Sequence, residues 1–386
     1  MLQASGLAKK IMSFVTAASL VFSAAAQASG LSLNIGTHFG EETVVLDINP
    51  AVLDMANTRP TADIHIRDPF ILVYGQQYFM YGTGAAQGPG YGCYVSEDLE
   101  NWAGPVNVFS APAGYDGINC FWAPECHYYN GSFYLFATYF SQATQHRGVS
   151  VYKADSPLGP FTEISAGHIT PHSWDSIDGT LYIDPEGQPW MVFVHEWTSM
   201  PDQVGAMAAA KLSEDFSCFI SEPVQLFKAN DPVWTNKGIT DGPFLYRSEN
   251  GQLLMLWSNF DVNGKYCVSV ANTCSNEITG KWTFGFKPFY QTGRYFRFDG
   301  GHPMLFTDLN GTLLMCMHSP NSNDENGRET AVFLEVDDKG DSLELVRLRE
   351  MRAQEDTLRL WHGDIAEFFT DIFLYIRSDI RQLLKR

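Results

Sequence analysis

Residues 67–83 read RDPFILVYGQQYFMYGT, and the same plan returns at 123–139 (APECHYYNGSFYLFATY), 177–197 (IDGTLYIDPEGQPWMVFVHEW), 240–260 (TDGPFLYRSENGQLLMLWSNF) and 300–319 (GGHPMLFTDLNGTLLMCMHS). Each copy is an apolar run, a turn containing Gly and a second apolar or aromatic run, which is the pattern of a buried β-hairpin. A polar residue beside or close to Pro or Gly opens every copy: Asp68, Glu125, Asp178, Asp241 and His302. Their spacings of 57, 53, 63 and 61 residues suit a four-stranded blade of roughly 40 to 50 residues with longer loops. Segments between the hairpins, such as GCYVSEDLENW (92–102) and GVSVYKADSPLGPF (148–161), supply third and fourth strands. The chain therefore reads as all-β, a single five-bladed β-propeller over residues 61–345. A β-sandwich competes as an all-β architecture, but repetition at this period favours the propeller.

The flanks read differently. Lys9 and Lys10 precede an apolar run from Ile11 to Ala26 that ends in small residues, so residues 1–28 are expected to be a signal peptide and the protein secreted or periplasmic. At about 16 residues the run is shorter than the roughly 20 that span a bilayer, so no membrane span is expected in the mature protein. Residues 29–60 form a leader in which TVVLDI (43–48) is a candidate strand to close the ring. In the tail, 346–386, the spacing of Ile365, Phe368, Phe369, Ile372, Phe373, Ile376 and Ile380 predicts a short amphipathic helix packed on the propeller's side.

Composition narrows the partners. The 386 residues are 45% hydrophobic and 14% aromatic, ample for a packed core. A net charge of −19 disfavours nucleic acid and anionic membrane, both of which need a basic surface. The seven cysteines have no metal-like spacing and read as mostly structural, with one or two disulfides open.

Chemistry should gather where the inner strands begin, because in a propeller those positions converge on one rim of the channel. Singly, each opening residue is an ordinary turn former. Together, four carboxylates and a histidine around one cavity cost desolvation and like-charge repulsion, which a purely structural role does not repay. Counting outward from the turn near Glu186 and Gly187 brings Glu196 beside Asp178; the same count brings His318 near His302 and Ser258 or Asn259 near Asp241. Paired carboxylates in a sugar-sized cleft are the machinery of glycoside hydrolysis. Phe121, Trp122, Trp174, Trp197 and Trp257 are the aromatics near the rim segments, candidates to stack on sugar faces.

These ordered motifs resemble glycoside hydrolase family 43, the five-bladed arabinanase, β-xylosidase and α-L-arabinofuranosidase family, over residues 61–345. The resemblance implies that Asp68 of RDP is the general base and that Asp178 of IDG tunes the acid and orients substrate. It implies that Trp122 and Glu125 of WAPE belong to the substrate pocket, with His302 as a further substrate ligand; Trp197 is a substrate-binding candidate from its place near the rim. The family's acid is usually the Glu of EGP, where this chain has Asp241 in TDGPF. Asp is one methylene shorter, and a misplacement of roughly 1 Å can cost on the order of 100-fold in rate. Glu196 in VHEW is therefore slightly preferred to Asp241 as the acid. The resemblance also implies an inverting mechanism, with carboxyl groups roughly 6.5 to 9.5 Å apart. It implies a plant cell-wall polysaccharide or oligosaccharide substrate carrying arabinose or xylose. Exo-acting α-L-arabinofuranosidase is favoured over β-xylosidase or endo-arabinanase. No cofactor is required, though the resemblance allows a structural Ca2+ near His302.

Other readings are weaker. A retaining fructan hydrolase would show an NDPNG motif before RDP, and a sialidase an arginine cluster with repeated Asp boxes; neither is present. From a different class, a non-catalytic carbohydrate-binding propeller is raised by the departure at Asp241.

Overall fold

The second strand of each hairpin is apolar along most of its length because it is buried on both faces: Met191 to Val194 and Leu253 to Trp257 are all inaccessible to solvent. The computed structural model describes residues 53–321 and 328–349. There the five hairpins grow into five antiparallel sheets, the blades of a propeller.

Blade I is β2 (Arg67–Tyr74), β3 (Gln77–Thr83), β4 (Gly90–Ser96) and β5 (Asn101–Ser110), with β1 (Thr58–Pro60) paired to β5 as a fifth, outermost strand. Blade II is β6 (Gly117–Tyr129), β7 (Ser132–Ser141), β8 (Arg147–Ala154) and β9 (Thr162–Glu163). Blade III is β10 (Ser176–Ile183), β11 (Pro189–His195), β12 (Ala206–Lys211) and β13 (Val224–Lys228). Blade IV is β14 (Asp241–Arg247), β15 (Leu253–Phe260), β16 (Tyr266–Thr273) and β17 (Trp282–Phe284). Blade V is β18 (Gly301–Thr307), β19 (Leu313–Ser319), β20 (Thr330–Asp338) and β21 (Leu343–Leu348). The inner strands β2, β6, β10, β14 and β18 touch in succession, and β18 returns to β2.

Blades I and V meet at a seam that shares no strand. The Ile66 N–H donates to the Glu329 carbonyl at 3.0 Å, and the Arg67 guanidinium donates to the buried Glu329 carboxylate at 2.7 Å. The candidate closing strand at 43–48, the signal peptide and the tail helix lie outside the described residues. Among the described residues no helix is long and apolar enough to cross a membrane.

The core is distributed between blade faces. One buried cluster joins blades V, I and II through residues such as Phe333, Tyr81 and Leu135, and three others lie between II and III, III and IV, and IV and V. Each fully buried large apolar side chain contributes about 1.5–3 kcal/mol. Trp257 belongs here: it packs between blades III and IV against Phe227 and Trp234. The expectation that it lines the rim is therefore corrected.

Candidate active site

One β-bulge, repeated in all five blades, builds the mouth of the channel. The register slips between Arg67 and Phe70, Trp122 and Glu125, Ile177 and Thr180, Asp241 and Phe244, and Gly301 and Met304. The first bulged residue is left-handed each time: Asp68 (φ 52°), Ala123 (43°), Asp178 (55°), Gly242 (53°) and His302 (55°). The next residue is Pro in four blades and Gly in the third. A bulge re-aims its side chain, and a left-handed non-glycine residue costs roughly 1–3 kcal/mol that the surrounding structure must offset.

This register revises the expected rim. Asp68, Asp178 and His302 are equivalent, but their counterparts in blades II and IV are Ala123 and Gly242. Asp241 stands one residue before its counterpart, and Glu125 two residues after. Glu125 is buried with His127 Nε2 at 3.2 Å from its Oε2.

Hydrogen bonds tie the bulges into a ring. Each left-handed N–H donates to a side chain on the second strand of the preceding blade: Asp68 to His318 Nδ1 (3.2 Å), Ala123 to Thr83 (2.8 Å), Asp178 to Thr138 (3.1 Å) and His302 to Ser258 (2.7 Å). Blade III offers Val194 at that position, opposite Ile177, and valine accepts nothing. The Gly242 N–H donates instead to Oδ2 of Asp178 at 2.9 Å. Glycine is required there for a second reason: an added Cβ would lie 2.7 Å from Cγ of His302.

The cluster's charges sort themselves. His302 Nδ1 is 3.2 Å from Asp68 Oδ1 and 3.8 Å from Asp178 Oδ2. Burial opposes its charge, but Asp68 and Asp178 outweigh burial and push its pKa up to about 10. Burial likewise opposes ionisation of Asp68, yet His302, with Arg67, holds that carboxyl well below the usual carboxylate range. The Thr83 hydroxyl donates to Asp68 Oδ2 at 2.6 Å. His318 is driven the other way, down to about 4 by burial. A neutral ring fits its partners, since Nδ1 accepts the Asp68 N–H and Nε2 donates to Asn321 Oδ1 at 3.1 Å.

Asp178 and Asp241 form a coupled pair. Burial first, and then repulsion from neighbouring carboxylates, raises both well above the ordinary aspartate range. The Tyr266 hydroxyl donates to Asp241 Oδ2 at 2.9 Å. The rim cluster thus holds an ionised carboxylate, an imidazolium and two aspartates whose pKa values are raised.

The sequence model of glycosyl hydrolases family 43 matches residues 57–334, from β1 into β20, which is all of the propeller but the end of blade V. The chain belongs to this family. As a family 43 protein it is similar to an endo-arabinase of Bacteroides thetaiotaomicron VPI-5482, 34% identical with a TM-score of 0.64, over 77% of this chain and 99% of that structure. It also matches the extracellular endo-α-(1→5)-L-arabinanase 1 of Bacillus subtilis strain 168, 25% identical over 152 residues, and the extracellular exo-α-(1→5)-L-arabinofuranosidase ArbA of Cellvibrio japonicus strain Ueda107, 27% identical over 170 residues. Those matches take in 35% and 40% of this chain and 45% of each relative, so the chain spans about half the length of these two proteins.

Within the family 43 site, Glu196 is not where the hairpin count put it. The bulge shifts the ladder so that Val194 faces Ile177 and Ser176 faces His195, and the Glu196 N–H donates to the Asp175 carbonyl at 2.8 Å. Its carboxylate meets the Arg147 Nε at 2.5 Å, and Arg147 also approaches Asp175 (3.4 Å) and Thr198 (3.1 Å). Burial pushes Glu196 up to about 7 against the pull of Arg147, with Asp241 adding to the rise. Trp122 is half-buried, its ring centroid 5.8 Å from that guanidinium, and Trp197 is exposed beside Glu196. Phe121 packs with Tyr91 and Tyr139, and Trp174 stacks on His195 at 3.8 Å.

A calcium cage takes six to eight oxygen ligands. Among the described residues no group of three or more His, Cys, Asp or Glu side chains is arranged to hold a metal ion. Nδ1 of His302 is committed to Asp68 at 3.2 Å. The residues present do not fit a protein-built calcium site at His302. Sequence reasoning missed Tyr266, Thr83 and Arg147; Thr83 alone had a signal, closing the hairpin opposite Arg67.

Proposed function

We propose that the protein is a secreted, inverting glycoside hydrolase cleaving α-(1→5)-linked L-arabinofuranosyl chains of plant polysaccharide. The reading rests on one observation, the split ionisation of the rim cluster: His302 keeps Asp68 charged, while burial and the charge of Asp178 raise the pKa of Asp241. Environments that push carboxyl groups apart assign base and acid. The named linkage is the one shared by the two extracellular relatives, one endo-acting and one exo-acting.

Asp68 is the general base. Thr83 and His302 fix its carboxylate, and each oxygen keeps a lone pair for a water aimed at the anomeric carbon. Asp241 is the general acid, in preference to Glu196. Tyr266 holds Oδ2 of Asp241 and leaves Oδ1 to carry the proton to the departing oxygen. Asp178, oriented by the Gly242 N–H, supplies the negative charge that keeps Asp241 protonated. Glu196 is engaged by Arg147, a pairing suited to substrate positioning rather than to proton donation.

The test is hydrolysis of linear α-(1→5)-arabinan and an aryl α-L-arabinofuranoside by the purified protein, with the first-formed anomer read by NMR. Inversion of the anomeric centre and loss of activity in Asp68→Asn are expected, and product lengths separate endo from exo cleavage. A wild type inert on both substrates and on xylosides would instead favour the carbohydrate-binding propeller.

A further inference from the structure

The connection between β17 and β18, residues 285–300, crosses the propeller face that carries the rim cluster. It leaves the outermost strand of blade IV, is pinned where Phe289 and Tyr290 donate to the Val268 carbonyl (2.8 and 3.1 Å), and ends at Gly300, two residues before His302. Asp299 anchors its inner end by accepting the N–H groups of Asn321 (3.2 Å) and Tyr266 (3.4 Å). Tyr266 is the residue whose hydroxyl meets Asp241. The connection is therefore a wall of the mouth.

Its charge is the reverse of the protein's. Residues 285–300 carry three cations, Lys287, Arg294 and Arg297, and one acidic residue, Asp299, which is engaged by the Asn321 and Tyr266 N–H groups, in a chain of net charge −19. All three cations are exposed. Arg294 and Arg297 lie over the rings of Tyr295 (5.0 Å) and Phe298 (4.5 Å), so charge and aromatic surface are presented together. Screening over roughly 8 Å at physiological ionic strength means the distant acidic surface does not cancel this local field.

We infer that this connection is a docking surface for carboxylate-bearing polysaccharide, a uronate-containing stretch lying alongside the neutral chain being cut. A guanidinium matches a planar carboxylate in two parallel hydrogen bonds. The inference rests on the proposed action on plant polysaccharide, but its test does not need turnover.

Binding of polygalacturonate and of linear arabinan is measured by calorimetry for the wild type and for Arg294→Gln/Arg297→Gln, at low and at physiological salt. The wild type is expected to bind polygalacturonate in a salt-sensitive way, and the double variant about tenfold more weakly, with its thermal midpoint and its rate on a neutral aryl arabinofuranoside unchanged. Equal binding by the double variant, or no wild-type binding at low salt, overturns the inference. Binding by a wild type that cleaves nothing would sustain the docking surface while sinking the hydrolase reading.

Discussion

The imidazole of His302 and the carboxylate of Asp68 face each other at 3.2 Å from opposite sides of the seam between blades V and I. The contact keeps a buried carboxylate charged where burial alone would neutralise it. Removing the imidazole in His302→Gln should let the Asp68 pKa climb towards or above the ordinary value near 4. A base must be ionised, so activity is lost as pH falls through its pKa. The acid limb of the kcat/KM profile should therefore move to higher pH in the variant; an unmoved limb would separate Asp68 from the titration.

Asp241 and Glu196 are distinguished by leaving group. Asp241→Asn should lower kcat on arabinan by on the order of 100- to 10,000-fold, yet far less on a dinitrophenyl arabinofuranoside, whose departing oxygen needs no proton. Glu196→Gln should raise KM without that dependence. The reverse pattern in steady-state kinetics would return the acid role to Glu196.

Tyr266 donates to Asp241 and lowers the pKa that burial and Asp178 have raised. Loss of the hydroxyl in Tyr266→Phe should raise it further. An acid must be protonated, and activity falls as pH rises through its pKa, so the alkaline limb should shift upward. A downward shift in the measured profile would contradict the assignment.

Glu329 is completely buried and pairs with the part-exposed Arg67. Arg67→Ala leaves that carboxylate with only His65, 3.5 Å away, as an ion-pair partner, at a cost of roughly 2–4 kcal/mol, towards the low end for breaking a buried pair because Arg67 still reaches solvent. Urea denaturation should report this as a lower midpoint at unchanged slope.

Five blades were legible because each inner hairpin repeats two apolar runs about a Gly turn, and burial on both faces leaves that pattern unbroken. The rim register was less so. Choosing the polar residue in each copy selected Glu125 and Asp241, whereas the bulge is marked by the residue on its C-terminal side: Pro69, Pro124, Gly179, Pro243 and Pro303. Reading backward from those gives Asp68, Ala123, Asp178, Gly242 and His302, two of them with nothing polar to notice. Glu196 was misplaced by the same bulge, since counting across a hairpin assumes an unbroken ladder. Its contact with Arg147 joins blades II and III, and Tyr266 reaches Asp241 from the third strand of blade IV. No local pattern announces such long-range meetings.

The seam makes the propeller a split ring. Every described blade is one continuous stretch of chain, so the joint between blades V and I can part without unzipping a single sheet. Asp68 sits on one lip and both of its histidines, His302 and His318, on the other. A small gape there would uncouple them while all five blades stayed folded, so on gentle heating the protein should fall silent before it melts.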